Sequence, residues 1–224
     1  MTPRDHTIKR LISDFGPLTI DHLISLAAKE NLGSPDTIWR RLRQTKPLLN
    51  DGVYINKRSR SEKYVYAAYN IRRRKDFDHD LMITDILVAL HLHFDLRYWR
   101  RPKQKFHARL NEDLYAVLGL PTGQLHYFIE ADTGSEGYKQ IGEKMTRYLR
   151  QYEAKGQPFI VLFITQDEGW LSKLLDRLED TIPRGKRRMF LFTTLDQFIS
   201  TPDQAICRLP HDPAAYTILP KLAQ

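Results

Sequence analysis

The chain has 224 residues, a net charge of +8 and a single cysteine, Cys207. That length allows one large domain or two modest ones, the lone cysteine excludes an internal disulfide and any multi-cysteine zinc site, and no apolar run approaches the roughly 20 residues that span a bilayer. The opening MTPRDHTIKR carries no apolar signal core, so a reducing cytoplasm is the expected location and no membrane partner is expected.

The charge is unevenly placed. Residues 1–77 hold 16 Lys/Arg against 8 Asp/Glu, whereas residues 78–224 hold 19 against 19. A basic N-terminal third joined to a neutral remainder suggests a polyanion-binding module on a neutral one, with a merely solubilising basic surface as the alternative.

Helical spacing of Ile8, Leu11, Ile12 and Phe15 predicts a first helix that Gly16 and Pro17 end. A second follows the cap candidate Thr19, with Ile20, Leu23, Ile24 and Ala27 on one face. A third starts at Ser34 and Pro35, with Ile38, Leu42 and Trp39 inward and Arg40, Arg41, Arg43 and Gln44 outward. Two alternating segments, 53–56 and 63–69, then flank a basic tip carrying Lys57, Arg58, Arg60 and Lys63. Three short helices and a basic hairpin make a winged helix-turn-helix over residues 1–70, whose third helix enters the major groove of DNA. The same shape used for docking a protein would not need so many arginines. Residues 71–78, IRRRKDFD, read as a basic linker, and Arg72, Arg73 and Arg74 there suit a phosphate backbone.

Over 79–94 a helix is expected from Ile83, Ile86, Leu87, Leu90 and Phe94, and DLRYWRR after it reads as a strand. DLYAVLG and QLHYFIEAD are two more strands around the tight connection LPTG. An amphipathic helix with Tyr138, Ile141, Met145, Tyr148 and Tyr152 on one side leads to PFIVLFIT, a strand apolar on both faces. A second helix, the strand RMFLFTT and a short helix near Gln197 close the order α-β-β-β-α-β-α-β, and the tail 201–224 reads as irregular. The order αβββαβ within residues 79–200 is that of the restriction-endonuclease-like fold.

The strand end HYFIEADTG carries Glu130 and Asp132 two residues apart, so both carboxylates project to one face. A turn centred near Pro121 brings Asp113 to the same end. Three carboxylates, Asp113, Glu130 and Asp132, suit Mg²⁺ or Mn²⁺. Nucleases of this fold usually write the strand pair as (D/E)-x-K. Asp132 fills the lysine slot here, so Lys144 of the next helix, with Lys139 as second choice, becomes the stabilising cation. Glu130, Asp132 and Lys144 are thus the candidate catalytic residues. Each has a plain structural use as well: Asp132 can cap the following helix with Thr133 or Ser135, Glu130 can pair with Lys144, Lys144 can be a solvated face residue, and Tyr148 can be core.

ARLNEDLYAVLG, HYFIEADTGSE and IGEKMTRYLRQY resemble the replication-relaxation family of plasmid and mobile-element proteins, and the chain is similar to nuclease-fold conjugative relaxases. The family pattern has an Asp at a strand start, an E-x-D or E-x-E pair, and a helix with a Lys followed four residues on by a Tyr. Asp113, Glu130, Asp132, Lys144 and Tyr148 match it, and His79 matches a His at the start of the first helix. One departure is Glu112, where the family has proline before the first Asp. The resemblance implies a DNA-binding protein that nicks or cleaves DNA with a divalent metal in replication or mobilisation. The alternative is a non-catalytic regulator or accessory factor with a degenerate nuclease-like domain. DNA is the expected partner, together with a second copy of the chain and other replication or mobilisation proteins. The stretch Arg97–Lys105, including Arg100 and Arg101, is expected to hold phosphodiester backbone.

A rival pattern is HLHF at 91–94 with YEAK at 152–155, which imitate a His-hydrophobic-His metal site and a nucleophilic tyrosine. At a helix end, two residues apart is a rotation of about 200°, so His91 and His93 are expected to diverge.

Overall fold

The computed structural model describes residues 2–43, 53–56, 64–69, 74–101, 112–178, 183–210 and 212–217. The chain divides into two compact units, Met1–Val88 and Ala89–Gln224.

In the first unit, α1 (Pro3–Phe15) begins with Thr2 as cap and Pro3 in its first turn. Thr2 Oγ1 accepts the Asp5 N–H at 3.3 Å, and the Asp5 carboxylate accepts the Thr2 N–H at 2.8 Å. Two otherwise unpaired donors are satisfied reciprocally. The helix stops at Gly16, whose φ of 90° suits a residue without Cβ. α2 (Ile20–Lys29) repeats the device: Thr19 Oγ1 accepts the His22 N–H, and His22 Nδ1 accepts the Thr19 N–H. α3 (Pro35–Arg43) starts where Ser34 Oγ accepts the Thr37 N–H at 3.4 Å. The expected apolar faces of these helices form one core, except that Leu26 is buried where Ile24 is only half-buried.

The predicted hairpin is present as β2 (Tyr54–Asn56) and β3 (Val65–Ala67), antiparallel with Tyr54 opposite Ala67. A two-residue strand, β1 (Leu18–Thr19), completes the sheet in the order β1-β3-β2.

α4 (Arg74–His93) starts five residues earlier than the periodicity suggested, so residues 74–78 of the expected linker are helical. Phe77 is buried, and the first half of the helix is tied to the N-terminal unit. Tyr69 donates its hydroxyl to Asp80 at 2.7 Å, Thr84 donates to the Phe15 carbonyl at 3.3 Å, and His22 Nε2 meets Asp85 at 2.7 Å. The division between the two compact units falls inside α4, after Val88.

The second unit is built on a seven-stranded mixed sheet in the order β10-β9-β8-β7-β6-β5-β4. β4 (Leu96–Arg100), β5 (Leu114–Leu120) and β6 (Gly123–Asp132) form the expected antiparallel meander. Only Pro121 and Thr122 separate the paired residues Leu120 and Gly123. α5 (Tyr138–Lys155) crosses to β7 (Ile160–Thr165), parallel to β6, and α6 (Glu168–Arg177) crosses to β8 (Phe190–Thr194), parallel to β7. The mixed α/β order α4-β4-β5-β6-α5-β7 is the predicted αβββαβ order. Ile141, Met145 and Tyr148 of α5 and Leu171 and Leu174 of α6 pack with Val161, Phe163, Phe190 and Phe192 over one face of the sheet. The Phe163 and Phe192 rings stack at 4.9 Å.

The described part of the tail, 201–210 and 212–217, holds regular structure where an irregular segment is expected. After α7 (Leu195–Ser200), β9 (Cys207–Leu209) pairs antiparallel with β8, and β10 (Asp212–Tyr216) pairs antiparallel with β9 at the sheet edge. Cys207 and Leu209 are buried alternately with the half-buried Arg208, a period-two pattern too short to stand out among prolines. Burial pushes the Cys207 thiol up to about 12. Among the described residues no helix is long and apolar enough to cross a membrane.

Candidate functional site

The register of the β5–β6 hairpin decides where the carboxylates lie. Leu114 sits opposite Ile129, so Asp113, one residue before, comes against Glu130 as the sequence predicted. Asp113 Oδ2 accepts the Ala131 N–H at 2.9 Å. Glu130 projects to the face covered by α5, where Lys144 and Tyr148, four residues apart, point down at it. Lys144 Nζ lies 2.7 Å from Glu130 Oε2, and the Tyr148 hydroxyl donates to Glu130 Oε1. Lys144 also reaches Glu136 Oε1 at 2.6 Å, a partner the sequence reading did not single out. Lys139 is exposed, so Lys144 is the lysine turned to the sheet.

This corner is nearly dry. The Glu130 and Lys144 side chains are 1% and 13% exposed, and Tyr148 is fully buried. Burial is the largest influence on Glu130 and lifts its carboxyl to about 7, with Asp113 adding to the rise and Lys144 and the Tyr148 hydroxyl pulling against it. Burial depresses Lys144, but the negative charge of Glu130 and Asp113 outweighs that and raises it above the ordinary lysine value, so it stays an ammonium. Tyr148 is raised well above the ordinary phenol value, first by burial and then by the Glu130 charge, and stays a donor.

Asp132 shares the strand face with Glu130 but serves a different group of donors. Its Oδ1 accepts the N–H groups of Gly134, Ser135 and Glu136 at 2.9, 3.1 and 3.3 Å, and its Oδ2 accepts the Trp170 indole N–H at 2.9 Å. The aspartate thus organises the loop that leads into α5 and pins α6. Asp132→Ala is expected to lower stability by about 2 kcal/mol, because four N–H donors lose their buried charged acceptor. Urea denaturation followed by tryptophan fluorescence measures it.

The acids expected to hold a metal are engaged by groups of the protein. Among the described residues no group of three or more His, Cys, Asp or Glu stands where it could hold a metal ion. Both Glu130 oxygens are taken by Lys144 and Tyr148, both Asp132 oxygens by N–H donors, and Asp113 turns one oxygen to a backbone amide. Mg²⁺ and Mn²⁺ take oxygen ligands, and as arranged the oxygens of Glu130 and Asp132 each meet a hydrogen-bond donor of the protein. A lysine supplies the positive charge among these acids.

Of the residues expected on DNA, Arg40 and Arg43 are exposed on α3, on one stripe with Asp36 and Trp39. The Arg43 guanidinium lies 5.5 Å over the Trp39 ring, and Trp39 points outward, against expectation. Arg41 is corrected as well: it turns back to the buried Asp5, 3.8 Å away. Burial pushes the Asp5 carboxyl up, but the Thr2 hydrogen bonds and the Arg41 charge more than offset this and hold it below the ordinary value. Gln44, Lys57, Arg58, Arg60, Lys63, Arg72, Arg73 and the side chain of Arg74 lie outside the described residues. Arg100 pairs with the buried Glu112 at 2.5 Å, and Arg101 is half-buried after β4. His79 lies half-buried in the first half of α4, away from the β6 acids in sequence and in a different unit. His91 packs edge-on to Trp99 while His93 is exposed, so the two imidazoles diverge as the helical rotation required.

The family described as replication-relaxation matches residues 29–159, from the end of α2 to the start of β7. No curated protein matches the chain. Among solved structures the chain is similar to one titled as restriction endonuclease FokI bound to DNA, at 13% identity and a TM-score of 0.32, covering 88% of this chain. The match spans 43% of that longer chain.

Proposed function

The chain belongs to the replication-relaxation family, and from that premise we propose that it is a DNA-binding factor of a plasmid or mobile element, acting in replication, whose nuclease-like unit is a scaffold and not a metal-dependent nickase. The N-terminal unit acts as a winged helix-turn-helix. α3 enters the major groove, where Arg40 and Arg43 meet phosphates or base edges and Trp39 lies between them. The hairpin β2–β3 serves as the wing, and the basic tip between its strands follows the backbone.

One observation carries the reading of the second unit. Lys144 is closed into ion pairs with both Glu130 and Glu136, and Tyr148 takes the remaining Glu130 oxygen. The protein's own ammonium neutralises the acids that a catalytic cation would otherwise need. The enzymatic reading keeps one observation in its favour: Asp113, Glu130 and Lys144 do converge, and a carboxyl lifted to about 7 is the kind of group that moves protons near neutrality. A nicking assay on supercoiled plasmid with Mn²⁺ decides between them. Wild type and Glu130→Ala are expected to give the same background of open circles. A nick made by wild type and lost in Glu130→Ala overturns the scaffold reading.

Salt dependence tests the DNA surface. Arg40→Ala and Arg43→Ala are each expected to lower the slope of log K against log salt by about 1, the loss of one phosphate contact. Arg41→Ala is expected to leave that slope unchanged, because its guanidinium faces Asp5. Titration of a duplex by fluorescence anisotropy at several salt concentrations reads all three.

A further inference from the structure

α5 covers only part of the sheet face on which Glu130 lies. Toward the β4 edge of the same face lie two cross-strand rows, Arg100–Tyr115–Phe128 and Tyr98–Val117–His126, in which Tyr98 and Arg100 are exposed, Tyr115, His126 and Phe128 half-buried and Val117 buried. Tyr98 is 51% exposed, a large ring in water beside the half-buried Tyr115. The rings are in contact, with Tyr98 edge-on to Tyr115 at 6.1 Å and 65°, and Tyr115 tilted to Phe128 at 5.1 Å and 45°. Phe128 is anchored beneath α5 through Tyr148 at 5.5 Å. Next to Tyr98, the residues Tyr115 and Phe128 line a cavity of about 240 Å³ together with Arg100, His126, Gln151 and Gln157.

Polar groups stand around the rings. The Arg100 guanidinium lies 5.5 Å over the Tyr115 ring and is half-exposed. Its partner Glu112 is buried and accepts one of its five N–H donors, from Nη2, which fixes the side chain. The Tyr115 hydroxyl and His126 Nδ1 are 2.6 Å apart, which locks both rings. Flat aromatic faces, a fixed guanidinium and two amides that each donate and accept are the parts that recognise a nucleotide: rings for the base, the guanidinium for the phosphate, amides for the base edge. In a duplex the base faces are hidden in the stack, so only an unpaired base reaches the rings.

We propose that this part of the sheet face, formed by Tyr98, Arg100, Tyr115 and His126, binds an unpaired nucleotide of single-stranded DNA, base against the tyrosines and phosphate at Arg100. The proposal deepens the DNA-binding reading and adds a site in the second unit for strand-separated DNA.

The test uses the full chain and three fluorescent probes: a short oligothymidylate, an abasic strand of equal length, and a duplex. Wild type is expected to bind the oligothymidylate more tightly than the abasic strand. Tyr98→Ala, at an exposed position, is expected to weaken oligothymidylate binding about 5- to 100-fold, the loss of one stacking ring, with Tyr98→Phe restoring it and duplex affinity unchanged. The pair Arg100→Gln with Glu112→Gln, which leaves no buried charge behind, is expected to weaken both single strands. Equal affinity for the abasic strand and the oligothymidylate overturns the proposal. So does an unchanged oligothymidylate affinity in Tyr98→Ala, including the case where that face takes a proline-rich peptide instead. If the duplex fails to bind while the oligothymidylate binds and responds to Tyr98→Ala, the winged-helix reading fails and this site stands.

Discussion

Lys144→Met is expected to lower the stability of the chain at pH 8 by about 3–5 kcal/mol, the largest effect of any single substitution considered. The methionine fills the space of the lysine stem but removes the cation that meets Glu130 at 2.7 Å and Glu136 at 2.6 Å. Glu130, with 1% of its side chain exposed, is then left with the Tyr148 hydroxyl as its remaining donor at that end. A buried carboxylate without its counter-charge is expensive, whereas a buried pair replaced as a whole is often close to neutral. The double change Lys144→Met with Glu130→Gln is therefore expected to recover most of the loss. Urea denaturation of wild type, both single variants and the double variant closes the cycle and isolates the coupling. A loss that persists undiminished in the double variant places the effect in helix packing.

Stability is expected to fall by about 3 kcal/mol as the pH rises from about 4.5 to about 7, a slope that Glu130→Gln removes. The sign follows from burial. The folded chain holds the Glu130 proton until about pH 7, while the unfolded chain releases it near the ordinary carboxyl value of 4.5. Between those values the folded state binds more protons, so it loses ground as protons become scarce, and above about pH 7 the contribution is constant. The ion pair with Lys144 does not cancel this, because the cost of drying the carboxylate exceeds the attraction. The raised Lys144 acts at the other end of the scale: its contribution is complete below the ordinary lysine value and is lost as the pH climbs through its folded value. It follows that the Lys144→Met loss shrinks at pH 5, where Glu130 takes up a proton. Denaturation midpoints at pH 5, 6, 7 and 8 for wild type and Glu130→Gln measure the slope.

Period-two alternation placed Glu130 on the face of β6 covered by α5, and the short turn at Pro121 brought Asp113 opposite it, because hairpin register follows from loop length. Helical spacing put Lys144 and Tyr148 on the side of α5 that carries Ile141. What alternation could not show is which hydrogen-bond acceptors were already taken. The donors on Asp132 come from a loop two to four residues on and from Trp170, 38 residues away, and neither leaves a periodic trace. Arg41 looked like its neighbours Arg40 and Arg43, but its step around the helix brings it beside Asp5, which the capping of α1 holds in place. The charged run before His79 read as a linker, although Arg and Lys are good helix formers and Phe77 supplies the buried anchor that extends α4. β1 and β9 are too short for any pattern to rise above composition.

The lone thiol of Cys207, sealed inside β9 and held protonated to about 12, gives the protein a practical property. Alkylating dyes and spin labels react with thiolates that water can reach. The natural sequence can therefore receive a reporter at any surface position by adding one cysteine there, with no need to remove the resident one. Distances across each unit, with and without a bound oligonucleotide, become readable in an otherwise unaltered chain.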